Sequence, residues 1–218
     1  RDQILNSLTE VQWSRLTHEQ QLTLVRTYEI TLTRFGQPNT SLSDRIVNQL
    51  DPHFPAPTFQ LNWLLCETLA YLQAPSVAGK AMALIQDAAT QEEQMEYARS
   101  LRFLKKGWTN ELHTQYFEWF LTASNYRGGA SFSKFIEFIR NDAVASLSNT
   151  QKQDLKGILE KEPVSKSPLE ALAEAMAGRS FVKEWEFEEI TSAIETGLVN
   201  RSHSKGRKAF GAAGCFAC

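Results

Sequence analysis

The sequence predicts an all-α protein of stacked antiparallel helical hairpins, and three observations carry that prediction. Apolar residues recur three and four positions apart along most of the chain, helix-start signals precede these runs, and no convincing strand pattern occurs anywhere. Helices of this length joined by a few residues pack as antiparallel neighbours.

Thr17-His-Glu-Gln20 has the form of a capping box, and Leu22, Val25, Tyr28, Leu32 and Phe35 follow on one face until Gly36 and Pro38 end the helix. Ser43 is placed to cap a shorter helix through Leu50. The three prolines in Asp51-Pro-His-Phe-Pro-Ala-Pro57 predict an extended turn. Leu61, Leu64, Leu65, Leu69 and Leu72 mark the next helix, closed by Pro75, and Cys66 within it reads as a small core residue. A helix over 76–88 follows. Thr90-Gln-Glu-Glu93 then opens one carrying Tyr97, Ala98, Leu101 and Leu104, which Gly107 breaks.

Thr109 caps a strongly aromatic helix with Leu112, Tyr116, Trp119, Phe120 and Ala123 on one side, ended by Gly128-Gly129. Ser131 restarts the chain, Phe132, Phe135, Ile136 and Ile139 keep helical spacing as far as Leu147, and Thr150-Gln-Lys-Gln153 reads as a third capping box leading to Leu155, Ile158 and Leu159. Two more helices are expected over 169–177 and 182–194. No fixed period runs through the chain, so the expected stack is irregular, a HEAT-like α-α superhelix without exact repeats.

Composition sets the outer bounds. With 42% hydrophobic and 22% charged residues in 218, the chain can bury a sizeable core. A net charge of -2 offers no electrostatic reason to expect nucleic acid or an anionic membrane as partner. No apolar run approaches the roughly 18 residues of a membrane span. The chain opens on Arg1, not methionine, and reads as a piece of something longer, so the absence of a signal peptide says nothing about the parent.

The chemistry lies at the C-terminal end, in Lys205-Gly-Arg-Lys-Ala-Phe-Gly-Ala-Ala-Gly-Cys-Phe-Ala-Cys218. Cys215 and Cys218 have the spacing of a Cys-x-x-Cys-His site, in which two thiols a little under one helical turn apart add to the two vinyl groups of a haem and the following histidine binds the iron. Lys205 to Ala213 holds Phe210 and small residues at helical spacing, as the first helix of a cytochrome c would, and Gly214 breaks it. A thioredoxin-type pair would follow a strand and precede a helix. A zinc site would need two further ligands, for which only Cys66 and four scattered histidines remain. Haem c is the expected cofactor of the full-length parent and is not expected on this segment alone, with Cys215 and Cys218 as its thioether residues and the axial histidine expected just beyond the chain end; zinc or thiol redox chemistry and two idle cysteines are the lesser readings, and no metal ligand is expected within the chain. Without haem, residues 205–218 are expected to fray.

Other polar residues read more plainly. Glu92, Glu93 and Glu96 fall where a helix dipole favours acids. His53 and His113 have no nucleophile or acid at motif spacing. His203 stands close to the haem segment and could approach the iron from the distal side, although a polar loop histidine is the commoner case. If some of Trp63, Trp108, Trp119 and Trp185 are not core, they offer a patch for a partner domain or a carbohydrate.

Taken together, Asp51-Pro-His-Phe-Pro, Leu61-Asn62, Thr90-Gln-Glu-Glu-Gln-Met-Glu-Tyr-Ala-Arg-Ser-Leu-Arg102, Gly107-Trp-Thr109, Tyr116-Phe-Glu-Trp-Phe120, Gly128-Gly-Ala-Ser-Phe132 and Val182-Lys-Glu-Trp185 resemble the large haem-binding proteins of planctomycete-type bacteria. The resemblance covers most of the chain from about residue 20 onward. It implies a β-propeller dehydrogenase-like region before this segment and a cytochrome c domain after it. The family's haem attachment carries over to Cys215 and Cys218 alone, and the resemblance implies export, to the periplasm, because c-type haem is attached outside the cytoplasm.

The expected organisation is a helical HEAT-like domain at 1–160, a linker or exposed loop at 161–168, further helices packing on the stack at 169–200, and the truncated start of a cytochrome c domain at 201–218. The chain itself is expected to be non-catalytic: a scaffold or spacer that places a dehydrogenase-like domain relative to an electron-accepting cytochrome c of the same chain. The alternative is a HEAT-like protein-binding module with no redox role.

Overall fold

A computed structural model describes residues 1–126, 128–129, 131–163, 170, 173, 177, 183–197, 199–213 and 215. The all-α expectation holds. Among the described residues there are twelve α-helices and no strand: α1 (Asp2–Thr9), α2 (His18–Phe35), α3 (Thr40–Leu50), α4 (Phe59–Tyr71), α5 (Val77–Asp87), α6 (Gln91–Leu101), α7 (Asn110–Ala123), α8 (Phe132–Ser146), α9 (Asn149–Asp154), α10 (Lys156–Leu159), α11 (Phe187–Gly197) and α12 (His203–Ala212).

Local chemistry sets most of the starts. Thr17 Oγ1 accepts from the Gln20 N–H (3.3 Å) while Gln20 Oε1 accepts from the Thr17 N–H (2.9 Å), a complete capping box. Thr90 and Thr109 cap α6 and α7 in the same sense. Elsewhere the caps lie a few residues from their expected places. Asn39, not Ser43, caps α3, so that helix gains a turn. The third box is Ser148 with Gln151, two residues before Thr150.

Other boundaries move as well. The Asp51–Pro57 stretch begins with a 3-10 turn, Asp51–His53, and is not extended throughout. Its end is clamped by Asn62, whose amide donates to the Ala56 carbonyl (2.8 Å) and accepts from the Ala56 N–H. Helix α6 stops at Leu101, six residues before Gly107. Helix α11 runs Phe187–Gly197, later than the expected 182–194. Most of the expected 169–177 helix and most of the 161–168 linker lie outside the described residues.

The even-numbered helices from α2 to α8 touch in succession, while α1 packs on α3, α5 on α7, and α7 on α10. Contacts of α1 with α2, α3 with α4, α5 with α6 and α7 with α8 connect these pairs. One apolar cluster runs through these helices from Leu5 to Leu155. Helices α11 and α12 contribute no residue to it among those described, and Phe187, Ile190 and Ile194 of α11 are exposed. A part-buried polar joint ties α2 and α3 to the end of α1 and the residues after it: Tyr28 donates to Gln49 Oε1 (2.6 Å), and Gln49 Nε2 donates to the carbonyls of Leu8 and Val11.

The loops after α4 and α6 lock together. Gln73 Nε2 donates to the Phe103 carbonyl (3.0 Å) and its Oε1 accepts from the Lys105 N–H (2.8 Å). Gly107, at φ +80°, passes directly against the Pro75 carbonyl. This crossing sets the position of Trp108, whose indole N–H donates to Leu104 (2.8 Å).

Candidate functional site

The C-terminal segment is built on α12. Ser202 caps it by accepting from the Lys205 N–H (3.4 Å). One and a half turns on, the Arg207 guanidinium donates to Oε1 of Gln91, a buried residue in the first turn of α6. Burial raises the Tyr126 phenol above its ordinary value, and Arg207 is among the groups pulling it back. An open cleft of about 610 Å³ lies between the start of α6 and α12, lined by Gln91, Glu92, Arg201, His203, Arg207 and Phe210.

At its far end α12 closes with the Ala213 N–H on the Ala209 carbonyl (3.0 Å) and the Cys215 N–H on the Phe210 carbonyl (3.3 Å). The second bond reaches back five residues and ties Cys215 to the last turn of the helix. Cys215 is therefore attached to the helix by its backbone, while its thiol is exposed and free. Cys218 lies outside the described residues, so the pairing of the two thiols rests on their sequence spacing. Residues 205–212, expected to fray, are helical.

His203 begins α12, and at about 1.5 Å of rise per residue it stands roughly 14 Å along the axis from Ala212. It lines the α6 cleft, at the opposite end of the helix from Cys215. The distal-ligand role weighed for His203 is not favoured by this placement.

The other residues singled out in the sequence fall into the scaffold. Cys66 is fully buried, and burial pushes its thiol up to about 12. Glu92 and Glu93 occupy the first turn of α6, and Glu96 pairs with Arg99 (2.9 Å), which also reaches Glu67 on α4 (3.0 Å). Trp119 is buried and donates to Gln94 (3.0 Å), while Trp185 is exposed. His53 stacks on Trp13 with ring centres 4.3 Å apart. Among the described residues no three His, Cys, Asp or Glu side chains are grouped to hold a metal ion.

One arrangement was missed in the sequence. His113 of α7 stacks on Trp108 at 4.5 Å and 12°. Together they form a wall of a cleft of about 280 Å³ whose other members are Leu104, Lys105, Ser146, Leu147, Ser148 and Gln151. The two rings are five residues apart across the Thr109 cap, a separation that matches no catalytic or metal motif, so only the α6–α7 loop geometry reveals the pair.

No protein-family model matches the chain, and neither a curated protein nor a solved structure matches it.

Proposed function

We propose that this chain is the helical scaffold of an exported, multidomain c-type haem protein, placing a dehydrogenase-like domain relative to an electron-accepting cytochrome c whose first helix is α12. The observation that carries this reading is the placement of Cys215. Its thiol is free and exposed, its amide is bound to the end of α12, and α12 is tied to α6 by Arg207 and Gln91.

The residues present fit a haem edge. Phe210 is exposed a little over one turn before Cys215, and Gly211 and Ala213 leave little bulk beside it. Cys215 and Cys218 would hold the haem through thioethers, with the axial histidine expected just beyond Cys218. When bound, haem c would supply reversible one-electron transfer. The chain's own part would be geometric: packed helices hold a separation that a flexible linker would let vary. The exposed apolar side chains of Trp185, Phe187, Ile190, Ile194 and Val199 support a neighbouring domain at this end of the chain.

Paired spin labels test the spacer role. With Cys218→Ala in place, one label on Cys215 and another on a cysteine introduced at Thr23 of α2 should give a single narrow distance distribution. A broad distribution, as from a flexible tether, would refute it.

The alternative, a protein-binding module, draws support from an open groove of about 640 Å³ between α2 and α4. Leu22, Ile30, Trp63 and Leu64 line it, and the Trp63 indole N–H has no hydrogen-bond partner among the described residues. A redox-inactive parent chain would favour that alternative.

A further inference from the structure

The outer face of α8 is independent of the haem segment. Helix α8 touches α6 and α7 and buries Ile136, Ile139 and Ala143 on one side. Phe135 and Phe138 turn away from that side, at 39% and 61% exposure, and Phe103, just past the end of α6, is 53% exposed. Arg102 joins the three rings into one patch. Its guanidinium lies over the Phe103 ring (4.4 Å) and donates to Asp142 of α8 (3.1 Å), and Asp142 stands one turn beyond Phe138 along the helix. Rings at these exposures leave on the order of 300 Å² of aromatic surface, within the size range of patches that are often functional on a monomer.

The charges on this face are ordered along the helix. Lys134 and Asp142 stand four residues to either side of Phe138, with side chains 67% and 47% exposed. Glu137 holds Lys134 (2.7 Å) and Arg102 holds Asp142, so both charges are fixed in place, and the Asp142 carboxylate has acceptor sites to spare. A partner of one charge sign would leave one end of the face opposed by like charge. Two copies of α8 laid antiparallel about Phe138 instead bring Lys134 of each opposite Asp142 of the other, which meets the condition of a twofold interface that residue i contacts j and j contacts i. The same arrangement sets Phe103, beside Asp142, against Phe135 of the other copy, beside its Lys134.

We infer that a second copy of this chain packs on this face, its α8 antiparallel to the first and the two Phe138 rings at the centre. The aromatic core is small beside the roughly 800 Å² per partner of a standard interface, so association belongs in the micromolar range.

Sedimentation equilibrium from about 5 to about 500 µM tests this, with reductant present so that the exposed Cys215 thiol cannot cross-link copies. The average mass should rise from one chain toward two. Phe138→Asp, a surface change that leaves the core intact, should weaken association about tenfold or more while the helical circular dichroism stays unchanged. Lys134→Glu and Asp142→Lys should each weaken it, and the double variant should recover most of the loss. Contact between copies explains such a recovery, because the two positions lie about 12 Å apart along one helix. Three results would overturn the inference: a single-chain mass at every concentration, association undiminished in Phe138→Asp, or no recovery in the double variant.

Discussion

The Cys215 amide donates to the Phe210 carbonyl at 3.3 Å, and that bond determines where a group attached to the Cys215 sulfur would leave the helix. The attachment point belongs to the end of α12, and through Arg207 and Gln91 to the start of α6. The scaffold reading depends on this chain of contacts.

The two described cysteines should differ sharply in reactivity. The thiolate is the nucleophile, and the Cys66 thiol is buried and pushed up to about 12, while that of Cys215 is exposed. Iodoacetamide at pH 8 should label Cys215 in the native protein and spare Cys66, with both labelled in urea. Mass spectrometry of the peptides reads the result; native labelling of Cys66 at a comparable rate would mean that the α4 core is not closed.

Removing the α6–α12 tie should loosen α12 alone. Arg207→Ala is expected to lower the protection of α12 amides by about 1 kcal/mol, the usual worth of one such hydrogen bond. Amides of α4 and α6, in the Leu5–Leu155 core, should keep theirs. Hydrogen exchange followed by mass spectrometry distinguishes this from a global effect.

Two glycines should respond in opposite directions. At Gly107, φ is +80° and a Cβ would collide with the Pro75 carbonyl, so Gly107→Ala should cost roughly 2 kcal/mol or more. Gly79 lies within α5 with open space around it, so Gly79→Ala should stabilise by about 0.5–1 kcal/mol. Urea denaturation of both variants checks the signs.

Much of this fold was legible in the sequence because helix starts are local. Thr17, Thr90 and Thr109 each bring their own oxygen to a nearby N–H, and apolar spacing marked Val25, Tyr28 and Leu32 as core. The shifted caps at Asn39 and Ser148 show the limit: Ser43 and Thr150 carry equally good side chains, and residue type alone does not choose between such neighbours. The Gln73–Lys105 and Gly107–Pro75 contacts join loops about thirty residues apart, so no local signal announces them, or the Trp108–His113 cleft that they shape. Cys215 was legible as a candidate site from spacing alone, whereas its amide bond to Phe210 needed the backbone.

Buried His113 should leave a signature in the pH dependence of stability. Its folded-state pKa lies below the ordinary 6.5 because burial disfavours the charged ring. Below about pH 6.5 the unfolded chain therefore takes up the proton first, and stability falls as pH drops through that value. His113→Leu should lose less stability than the wild type between pH 8 and pH 5. The His53 contribution has the same sign and is present in both proteins, so it cancels. Identical losses would place the imidazole in solvent.

The central claim, that this scaffold carries a covalently attached haem at Cys215 and Cys218, is tested most directly by a visible absorption spectrum. The sample is the natural full-length chain, exported alongside a c-type haem attachment apparatus, then denatured and run on a haem-stained gel. The account predicts a haem band that stays with the polypeptide and disappears when Cys215 and Cys218 are both changed to Ala. A colourless wild-type chain, or colour that persists in the double variant, would contradict it.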